Sequence, residues 1–356
     1  MEHNDYVKEA VELLKSLIAC PSISRNEDKA ADVLVRYIAK CGLSYRRDNN
    51  NVWIIDPNYD AARPTLLLNA HLDTVKPVDS WTKSPFVPAI EDGKLFGLGS
   101  NDCGGGLVSL LQVFRILTAK KQDYNLIYLA SAEEEVSGKN GIEHVLPLLP
   151  KIDTAIVGEP TGMQPAIAEK GLMVIDLISR GEAGHVAHSD GHNAIYEMLD
   201  DLRWIRDYQF DKVSELLGPT RMNVTVINAG TQHNVIPDIC TALIDVRINE
   251  RYTNQEVYDI IKSNVKNEVT AHSFRLNSSH IDMSHPLVQR ALQMHMKPYG
   301  SPTLSDQALM PFQSMKLGPG DSHRSHAADE FIKIEEIDNG IDIYVTLLDG
   351  AKINQV

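Results

Sequence analysis

The sequence predicts an α/β protein built on a mostly parallel sheet, with an inserted ferredoxin-like α+β domain. The first observation is that short apolar segments alternate with helical segments in the first half of the chain. The second is a β-α-β-β-α-β order of elements in its middle. The third is the length of 356 residues, which suffices for two domains at roughly 100–200 residues each. We therefore expect a discontinuous first domain over 1–172 and 280–356, and an inserted domain over 173–279.

Four apolar runs in the first half have the length of buried strands, and they are 52–56, 65–70, 126–131 and 154–158. Apolar residues recur at helical spacing in residues 1–20 and 107–119. Nearly continuous apolar strands separated by helices are typical of a parallel sheet that is covered on both faces. This pattern predicts the α/β class of the first domain.

The middle of the chain has a different order of elements. Its predicted strands are 172–179, 222–229, 240–249 and 268–276, and its predicted helices are 193–207 and 254–267. This is the order of a split βαβ unit. A helical pattern resumes near His285, and the apolar run near Met315 is expected to return to the first sheet.

Composition and charge exclude several classes of protein. Hydrophobic residues make up 43% and charged residues 23% of the chain, as in a globular protein with a sizeable core rather than a disordered one. The formal net charge of −14 opposes binding to nucleic acid or to anionic membranes. No apolar stretch approaches the ~20 residues that span a bilayer. We therefore expect neither a nucleic-acid nor a membrane partner.

The cysteines indicate a reducing compartment. Cys20, Cys41, Cys103 and Cys240 are far apart and form no CxxC pair, which fits reduced thiols better than a disulfide framework or a thiolate zinc site. We expect a cytoplasmic protein, in which Cys103 is a buried small apolar side chain rather than a nucleophile.

Polar side chains follow the predicted strands of the first domain where each strand ends. His71 and Asp73 follow 65–70, the run Glu133–Glu135 follows 126–131, and Glu159 follows 154–158; Asp102 lies in a Gly-rich turn before a helix. The carboxyl ends of parallel strands meet at one edge, where these acids would repel one another without cations. Histidine nitrogen with carboxylate oxygen suits Zn²⁺, and the number of acids favours two ions about 3.5–4 Å apart. Taken alone, the triplet of His71 and Asp73 favours a structural role, and the acids are often solvated caps or an exposed face.

Five strings make the pattern specific: LNAHLDTV, GLGSNDCGGG, SAEEEVSG, VGEPT and GPGDSHRSHAADE, in this order. Together they resemble the M20 dinuclear zinc hydrolases over essentially the whole chain, and most closely the acetylornithine deacetylase-like group. The resemblance implies two Zn²⁺ per subunit, with Co²⁺ or Mn²⁺ as possible substitutes. It also implies that the inserted domain is a dimerisation lid, so that a homodimer is expected.

The resemblance assigns roles to residues of this chain. The implied metal ligands are His71, Asp102 as the bridge, Glu135, Glu159 and His326, with His323 as the competitor of His326. Glu134 would be the general base and Asp73 the acid that orients His71, although the triple glutamate leaves a one-residue ambiguity. His185 would reach the active site of the opposite subunit, and the substrate would be bound by Arg247, Asn234 and Ser305. From the residues alone, Arg247 could instead form an ion pair with Asp245 or Glu250.

The expected activity is hydrolysis of the amide bond of an N-acyl amino acid, with N-acetylornithine in arginine biosynthesis as the first candidate. The alternatives with the same metal site are a di- or tripeptidase and a succinyl-diaminopimelate desuccinylase. A different class of protein, a binding or sensor protein without catalysis, is disfavoured because every expected ligand and a glutamate in the position of the base are present.

Overall fold

The computed structural model describes residues 2–188 and 191–353. The chain divides into two compact units. The first comprises Met1–Ile167, His280–Tyr299 and Ser305–Val356, and the second comprises Ala168–Ser279 and Gly300–Leu304.

The described residues form helices and strands with the following bounds. The helices are α1 (His3–Ile18), α2 (Asp28–Lys40), α3 (Gly105–Thr118), α4 (Ile142–Val145), α5 (Ala194–Asp207), α6 (Asn254–Asn264), α7 (Pro286–Gln293) and α8 (Ile334–Leu348). The strands are β1 (Arg46–Asp48), β2 (Asn51–Ile55), β3 (Thr65–His71), β4 (Ala89–Glu91), β5 (Lys94–Phe96), β6 (Asn125–Ser131), β7 (Thr154–Val157), β8 (Ala166–Glu169), β9 (Gly171–Arg180), β10 (Gly184–His185), β11 (Arg221–Ala229), β12 (Val235–Ile236), β13 (Ile239–Ile248), β14 (Glu268–Ala271), β15 (Ser279–His280), β16 (Tyr299–Ser301), β17 (Gln313–Lys316) and β18 (Phe331–Lys333).

The large sheet of the first unit contains the four predicted strands as β2, β3, β6 and β7, in the order β1-β2-β6-β3-β7-β17. The neighbours β6, β3, β7 and β17 are parallel to one another. Strand β2 is antiparallel to both of its neighbours, β1 and β6. The run near Met315 is β17, which returns to this sheet beside β7 as expected. The predicted α/β class with a mostly parallel sheet is confirmed.

Both faces of this sheet are buried, because successive side chains of a strand point to opposite faces. Leu66 and Leu68 of β3 pack in the cluster that includes buried residues of α1, α2, α3 and α8. Leu67 packs in a second cluster, which includes Ile142 and Val145 of α4. Apolar residues are therefore required at every position of the central strands, which explains their unbroken apolar sequence.

The second unit contains a four-stranded sheet in the order β11-β13-β9-β14, with antiparallel neighbours throughout. Its elements follow one another as β9, α5, β11, β13, α6 and β14, so the predicted β-α-β-β-α-β order is confirmed, and a short β10–β12 ribbon is added to it. The buried core includes Ile175 and Leu177 of β9 and Val257 and Ile261 of α6.

The last strand of this unit is shorter than predicted, since β14 ends at Ala271 rather than at residue 276. The backbone carbonyls of Phe274 and Leu276 accept hydrogen bonds from the side-chain amide of Asn254 at 3.3 and 2.9 Å. The carbonyl of Leu276 also accepts the backbone N–H of Leu172 in β9 at 3.0 Å, so here the side chain of Asn254 adds to the bonding between strands. Within residues 2–188 and 191–353, no helix combines the length and the apolar character needed to cross a membrane.

Candidate metal centre

Three neighbouring parallel strands bring acidic and histidine side chains to one edge of the large sheet. Cα pairing places His71, the last residue of β3, opposite Ser131, the last residue of β6. Asn69 of β3 pairs with Val157, the last residue of β7, two positions before Glu159. The turn after β6 and the turn after β7 therefore leave the sheet on either side of His71.

The turn that carries Asp102 precedes α3 and lies close to the end of β7. Gly106 of α3 lies against Gly158, so that a Cβ atom at position 106 would fall 1.7 Å from the carbonyl oxygen of Gly158. This close approach of two backbones requires glycine. It brings the segment that begins at Asp102 next to the segment that leads to Glu159.

The expected metal ligands are brought together around Asp102. The Nε2 atom of His71 lies 3.2 Å from Oδ1 of Asp102 and 3.6 Å from Oε1 of Glu159. The Nε2 atom of His326 lies 2.9 Å from Oε2 of Glu135 and 3.6 Å from Oδ2 of Asp102. Each oxygen of Asp102 thus faces a different histidine, which is the placement that a bridging carboxylate requires.

His71 is oriented through its Nδ1 atom, which lies 2.8 Å from the backbone carbonyl oxygen of Asp73 and donates to it. The carboxylate of Asp73 is farther away, with Oδ1 at 3.6 Å from Nδ1. That carboxylate accepts the backbone N–H groups of Glu134 and Glu135 at 3.0 and 3.1 Å and the hydroxyl of Ser24 at 2.7 Å. Asp73 therefore contacts His71 mainly through its backbone, while its side chain holds the turn after β6.

The three consecutive glutamates have different surroundings. The carboxylate of Glu133 accepts a hydrogen bond from the side-chain amide of Asn140 at 2.9 Å, and its backbone N–H donates to Glu27 at 3.2 Å. Glu135 instead contacts His326, and Glu134 lies between the two other glutamates in sequence. The contact with His326 favours the interpretation in which Glu135 is the ligand, rather than an assignment shifted by one residue to Glu134.

The two candidate histidines of the last motif also differ. The imidazole of His323 is 92% exposed and lies 2.8 Å from Oδ1 of Asp321. His326, with a positive φ of 59°, turns back toward Glu135 and Asp102. The structure thus brings His326 to the cluster and leaves His323 at the surface.

The electrostatics of the cluster indicate a shortage of positive charge. Burial and the nearby Asp102 raise the pKa of Glu159 to about 8, and the hydrogen bond to Glu135 raises the pKa of His326 to about 9. Burial also raises the pKa of Glu134 well above its ordinary value, together with the neighbouring acids. Burial alone would raise the pKa of Asp102, but its contact with His71 outweighs this and lowers it. Acids that resist ionisation together fit a site that is completed by cations.

The donor set fits divalent metal ions. The ligand atoms of His71, Asp102 and Glu135 lie within 4.8 Å of one another. Among the described residues, the buried Oε1 atom of Glu159 has no hydrogen-bond partner. Since a buried carboxylate oxygen without a partner is costly, this atom is well suited to bind a metal ion. Imidazole nitrogen and carboxylate oxygen are ligands that Zn²⁺ accepts.

Two further buried acids lie near the cluster. The family resemblance implies that Asp306, next to Ser305, lies in a loop that flanks the substrate carboxylate, whereas it assigns no role to Glu330. Asp306 accepts a hydrogen bond from Ser131 at 2.5 Å, and burial raises its pKa to about 6. Glu330, the last residue of the string HAADE, accepts backbone N–H groups of the turn that carries Asp102.

Cys103 is buried, as expected from the sequence. Its thiol lies 3.2 Å from the backbone nitrogen of His71, and burial raises the pKa of this thiol.

The expected substrate-binding residues lie in both units. His185 of β10 is exposed, and the backbone carbonyl of Asn234 accepts the N–H of Val186, the next residue, at 3.2 Å. The guanidinium of Arg247 pairs with Asp245 at 2.8 and 3.0 Å, which is one of the ion pairs considered from the sequence. Ser305 belongs to the first unit, where its buried hydroxyl accepts the N–H of Gln307 at 3.3 Å. Their roles in binding stay predictions.

Comparison with known proteins places this site in a family. Residues 67–350 match the family model described as Peptidase family M20/M25/M40. A succinyl-diaminopimelate desuccinylase of Wolbachia sp. subsp. Brugia malayi is 30% identical over 271 residues, which cover 70% of this chain and 68% of the relative. The chain belongs to peptidase family M20/M25/M40 and is a metal-dependent hydrolase.

Solved structures with low sequence identity share the fold. The aminopeptidase PepT of Bacillus cereus has a TM-score of 0.78 at 18% identity, over 97% of this chain and 98% of that chain. The dinuclear metal-binding M20 peptidase YXEP of Bacillus subtilis has a TM-score of 0.74 at 15% identity, with the same coverage of 97% and 98%. The acetylornithine deacetylase-like subgroup expected from the sequence is not the one that the Wolbachia relative represents.

Proposed function

We propose that this protein uses two divalent metal ions to hydrolyse the amide bond of an N-acyl amino acid, and that an N-succinyl amino acid is the preferred substrate class. The single observation that supports the dinuclear reaction best is the position of Asp102, whose two oxygens lie 3.2 Å from His71 and 3.6 Å from His326. The name of the 30% identical relative supports a succinyl substrate over N-acetylornithine.

The roles of the residues follow from their contacts. His71 and Glu159 would hold one ion, Glu135 and His326 the other, and Asp102 both. Zn²⁺ is the proposed metal because of the donor types. When bound, such ions lower the pKa of water toward ~7 and polarise an amide carbonyl.

Glu134 is the proposed general base. Its carboxylate would accept a proton from the attacking water and later deliver it to the nitrogen of the departing amine. Its raised pKa suits both transfers, because a group that binds a proton more readily than an ordinary glutamate can hold it between the two steps. The hydrogen bond from its backbone N–H to Asp73 at 3.0 Å fixes the turn from which this side chain projects.

A group of cationic side chains in the second unit supports the choice of a succinyl substrate. Arg247 of β13 is paired in register with Arg221 of β11. Burial lowers the pKa of Lys170, and the charges of Arg221 and Arg247 lower it further. Among the described residues, the acid that pairs with Arg247 is Asp245. An N-succinyl amino acid carries one more carboxylate than its N-acetyl counterpart, and guanidinium groups bind carboxylates well.

The proposed assembly is a homodimer formed through the second unit, to which His185 would contribute a side chain for the partner's reaction. The resemblance to the family carries this proposal. Sedimentation of the protein measures the assembly directly. Mixing an H185A variant with an E134Q variant tests the shared site. Activity should return only if a mixed dimer forms in which the E134Q subunit supplies His185 to the active site of the H185A subunit, which retains Glu134.

The activity is tested with a substrate panel on the metal-loaded protein. The panel contains N-succinyl-diaminopimelate, N-succinylornithine, N-acetylornithine, N-acetylcitrulline and short dipeptides. We expect the highest kcat/KM with an N-succinyl substrate. A preference for N-acetylornithine would restore the first sequence-based candidate, and a preference for a dipeptide would overturn the assignment to N-acyl amino acids.

A further inference from the structure

The carboxylate of Glu330 lies beneath the turn that carries Asp102. Glu330 is only 2% exposed. Its Oε1 atom accepts the backbone N–H groups of Asn101 at 2.8 Å and Asp102 at 2.9 Å, and its Oε2 atom accepts that of Gly99 at 3.1 Å. Three donors of one irregular turn therefore converge on a single carboxylate from the far end of the chain.

The side chain of Asn101, in the same turn, forms hydrogen bonds to the segment that precedes Glu330. Its Oδ1 atom accepts the backbone N–H of Asp321 at 3.0 Å, and its Nδ2 atom donates to the backbone carbonyl of Asp321 at 3.1 Å and to the hydroxyl of Ser325 at 3.4 Å. The segment 321–330, which includes His326, is thus bonded at both of its ends to the turn 99–102.

The two proposed ions differ in how their ligands are held. His71 ends β3 and Glu159 follows β7, and these strands are paired with each other in the parallel sheet. His326 belongs to an irregular segment. The Nε2 atom of its imidazole lies 3.6 Å from Oδ2 of Asp102. Pairing of β18 with β5 and a β-bridge between Asp321 and Thr161 hold the ends of this segment, but no strand contains Asp102 or His326. The separation of these two residues therefore depends also on the bonds between their segments.

We propose that Glu330 and Asn101 form a brace that sets the distance between Asp102 and His326 and thereby determines the affinity for the ion held by Glu135 and His326. The inference rests on the proposed dinuclear function and adds to it two positioning residues. Neither side chain is a ligand in this proposal; both act through the backbone of the segments that carry the ligands.

The chemistry of Glu330 explains why a carboxylate is needed at this position. Two oxygens without hydrogens can accept three N–H groups, whereas the amide of glutamine has one oxygen and an NH₂ group. In an E330Q variant the NH₂ group would face either Gly99 or the pair Asn101 and Asp102, and at least one N–H group would lose its acceptor. An N101A variant instead removes the bonds to Asp321 and leaves the carboxylate in place.

The test is a metal titration of the apo-protein, with Zn²⁺ in competition with a chelator and with Co²⁺ followed by its absorption spectrum. We expect E330Q and N101A to bind the first ion as the wild type does and to bind the second at least about tenfold more weakly. Turnover at saturating substrate should recover when the metal concentration is raised. If E330Q does not fold, N101A carries the same test.

A matched control is D201N in the second unit. Asp201 is also a buried carboxylate that accepts backbone N–H groups, those of Lys266 and Asn267, at 3.0 Å. This variant should lower the melting temperature without changing either metal affinity. If E330Q and N101A behave like D201N, or weaken both ions equally, the brace proposal is wrong although the function stands. If the wild type binds fewer than two ions, the proposed function itself fails.

Discussion

The side chain of Asp73 and the backbone of Glu134 are joined by a hydrogen bond of 3.0 Å, although they follow different strands. The other oxygen of the same carboxylate accepts the N–H of Glu135 at 3.1 Å. One buried acid thus connects the end of β3, which supplies His71, with the turn that supplies the proposed base and one proposed ligand.

Substitution of Asp73 should therefore impair catalysis more than folding. In D73N, the side-chain NH₂ group would meet one of the two N–H donors of the turn. We expect kcat/KM to fall about 10–100-fold, the range typical of residues that orient metal ligands. Steady-state kinetics and metal analysis measure this. The S24A variant, which removes only the hydroxyl bonded to Asp73, should have a much smaller effect; equal losses in both variants would contradict the prediction.

The role of Glu134 is tested against its neighbour. E134Q should reduce kcat by about 10²–10⁴, because general acid–base catalysis contributes a factor of that order. Its metal content should stay near that of the wild type. E133Q is the control, since Glu133 is bonded to Asn140 and has no proposed part in the reaction. Loss of activity in E133Q together with loss of bound metal in E134Q would shift the assignment of the motif by one residue.

Removal of metal should abolish activity and lower stability together. The cluster contains three carboxylates and the carboxyl of Glu134, which repel one another when no cation compensates them. Binding of an ion at about 100 times its Kd stabilises the folded state by about 2.7 kcal/mol. We expect a chelator to lower the melting temperature and added Zn²⁺ to restore both properties. A chelated protein with full activity would exclude metal-dependent hydrolysis.

The specificity for an acyl group is tested at Arg247. R247A should raise KM for an N-succinyl substrate by about tenfold or more, because a charge-assisted hydrogen bond is worth about 1.5–3 kcal/mol. KM for the N-acetyl analogue should change less if this guanidinium binds the succinyl carboxylate. R180A is the control in the same unit, since Arg180 is exposed and pairs with Glu268 at 2.7 Å. Equal changes for both substrates would indicate binding of the carboxylate that they share.

Stability should depend on pH through Glu336. Burial opposes ionisation of this carboxyl, but hydrogen bonds from Arg324 at 2.6 and 2.8 Å outweigh it and lower its pKa. The folded state therefore binds this proton less readily than the unfolded chain does. The resulting stabilisation is present above the unfolded-chain pKa of about 4.3 and is lost as the pH falls below it through the folded value.

The measurement is urea unfolding of the wild type and E336Q at pH 7 and pH 3. We expect the wild type to be more stable by about 1 kcal/mol at pH 7, as for an ion pair of good geometry. The difference should be smaller at pH 3, because the pH then lies below the unfolded-chain pKa of about 4.3. A difference that is the same at both pH values would show that the ion pair does not account for it.

The central strands and the site at their ends could be predicted because burial on both faces imposes an apolar sequence. Leu66, Leu67 and Leu68 all face a core, and the polar residue that ends such a run, His71, then stands out. A site that combines these strand ends is therefore visible in the order of residues alone.

Other parts of the structure leave little trace in the sequence. The helices α2 and α8 are not among the predicted elements, although both pack in the main cluster. Glu330 has no role predicted from sequence because its partners are backbone N–H groups, which every residue but proline has. The surroundings of Glu133 and Glu135 likewise depend on Asn140 and His326, which are distant from one another in the chain.

The contact between Gly106 and Gly158 has a consequence for redesign of the protein. Alanine at position 106 would add a carbon 1.7 Å from a carbonyl oxygen, so even the smallest side chain would push the start of α3 away from the strand end beside it. Any attempt to enlarge the metal site for a bigger cation must therefore begin at another position. The distance between the start of α3 and the end of β7 depends on the absence of a side chain at Gly106, so it cannot be increased in small steps there.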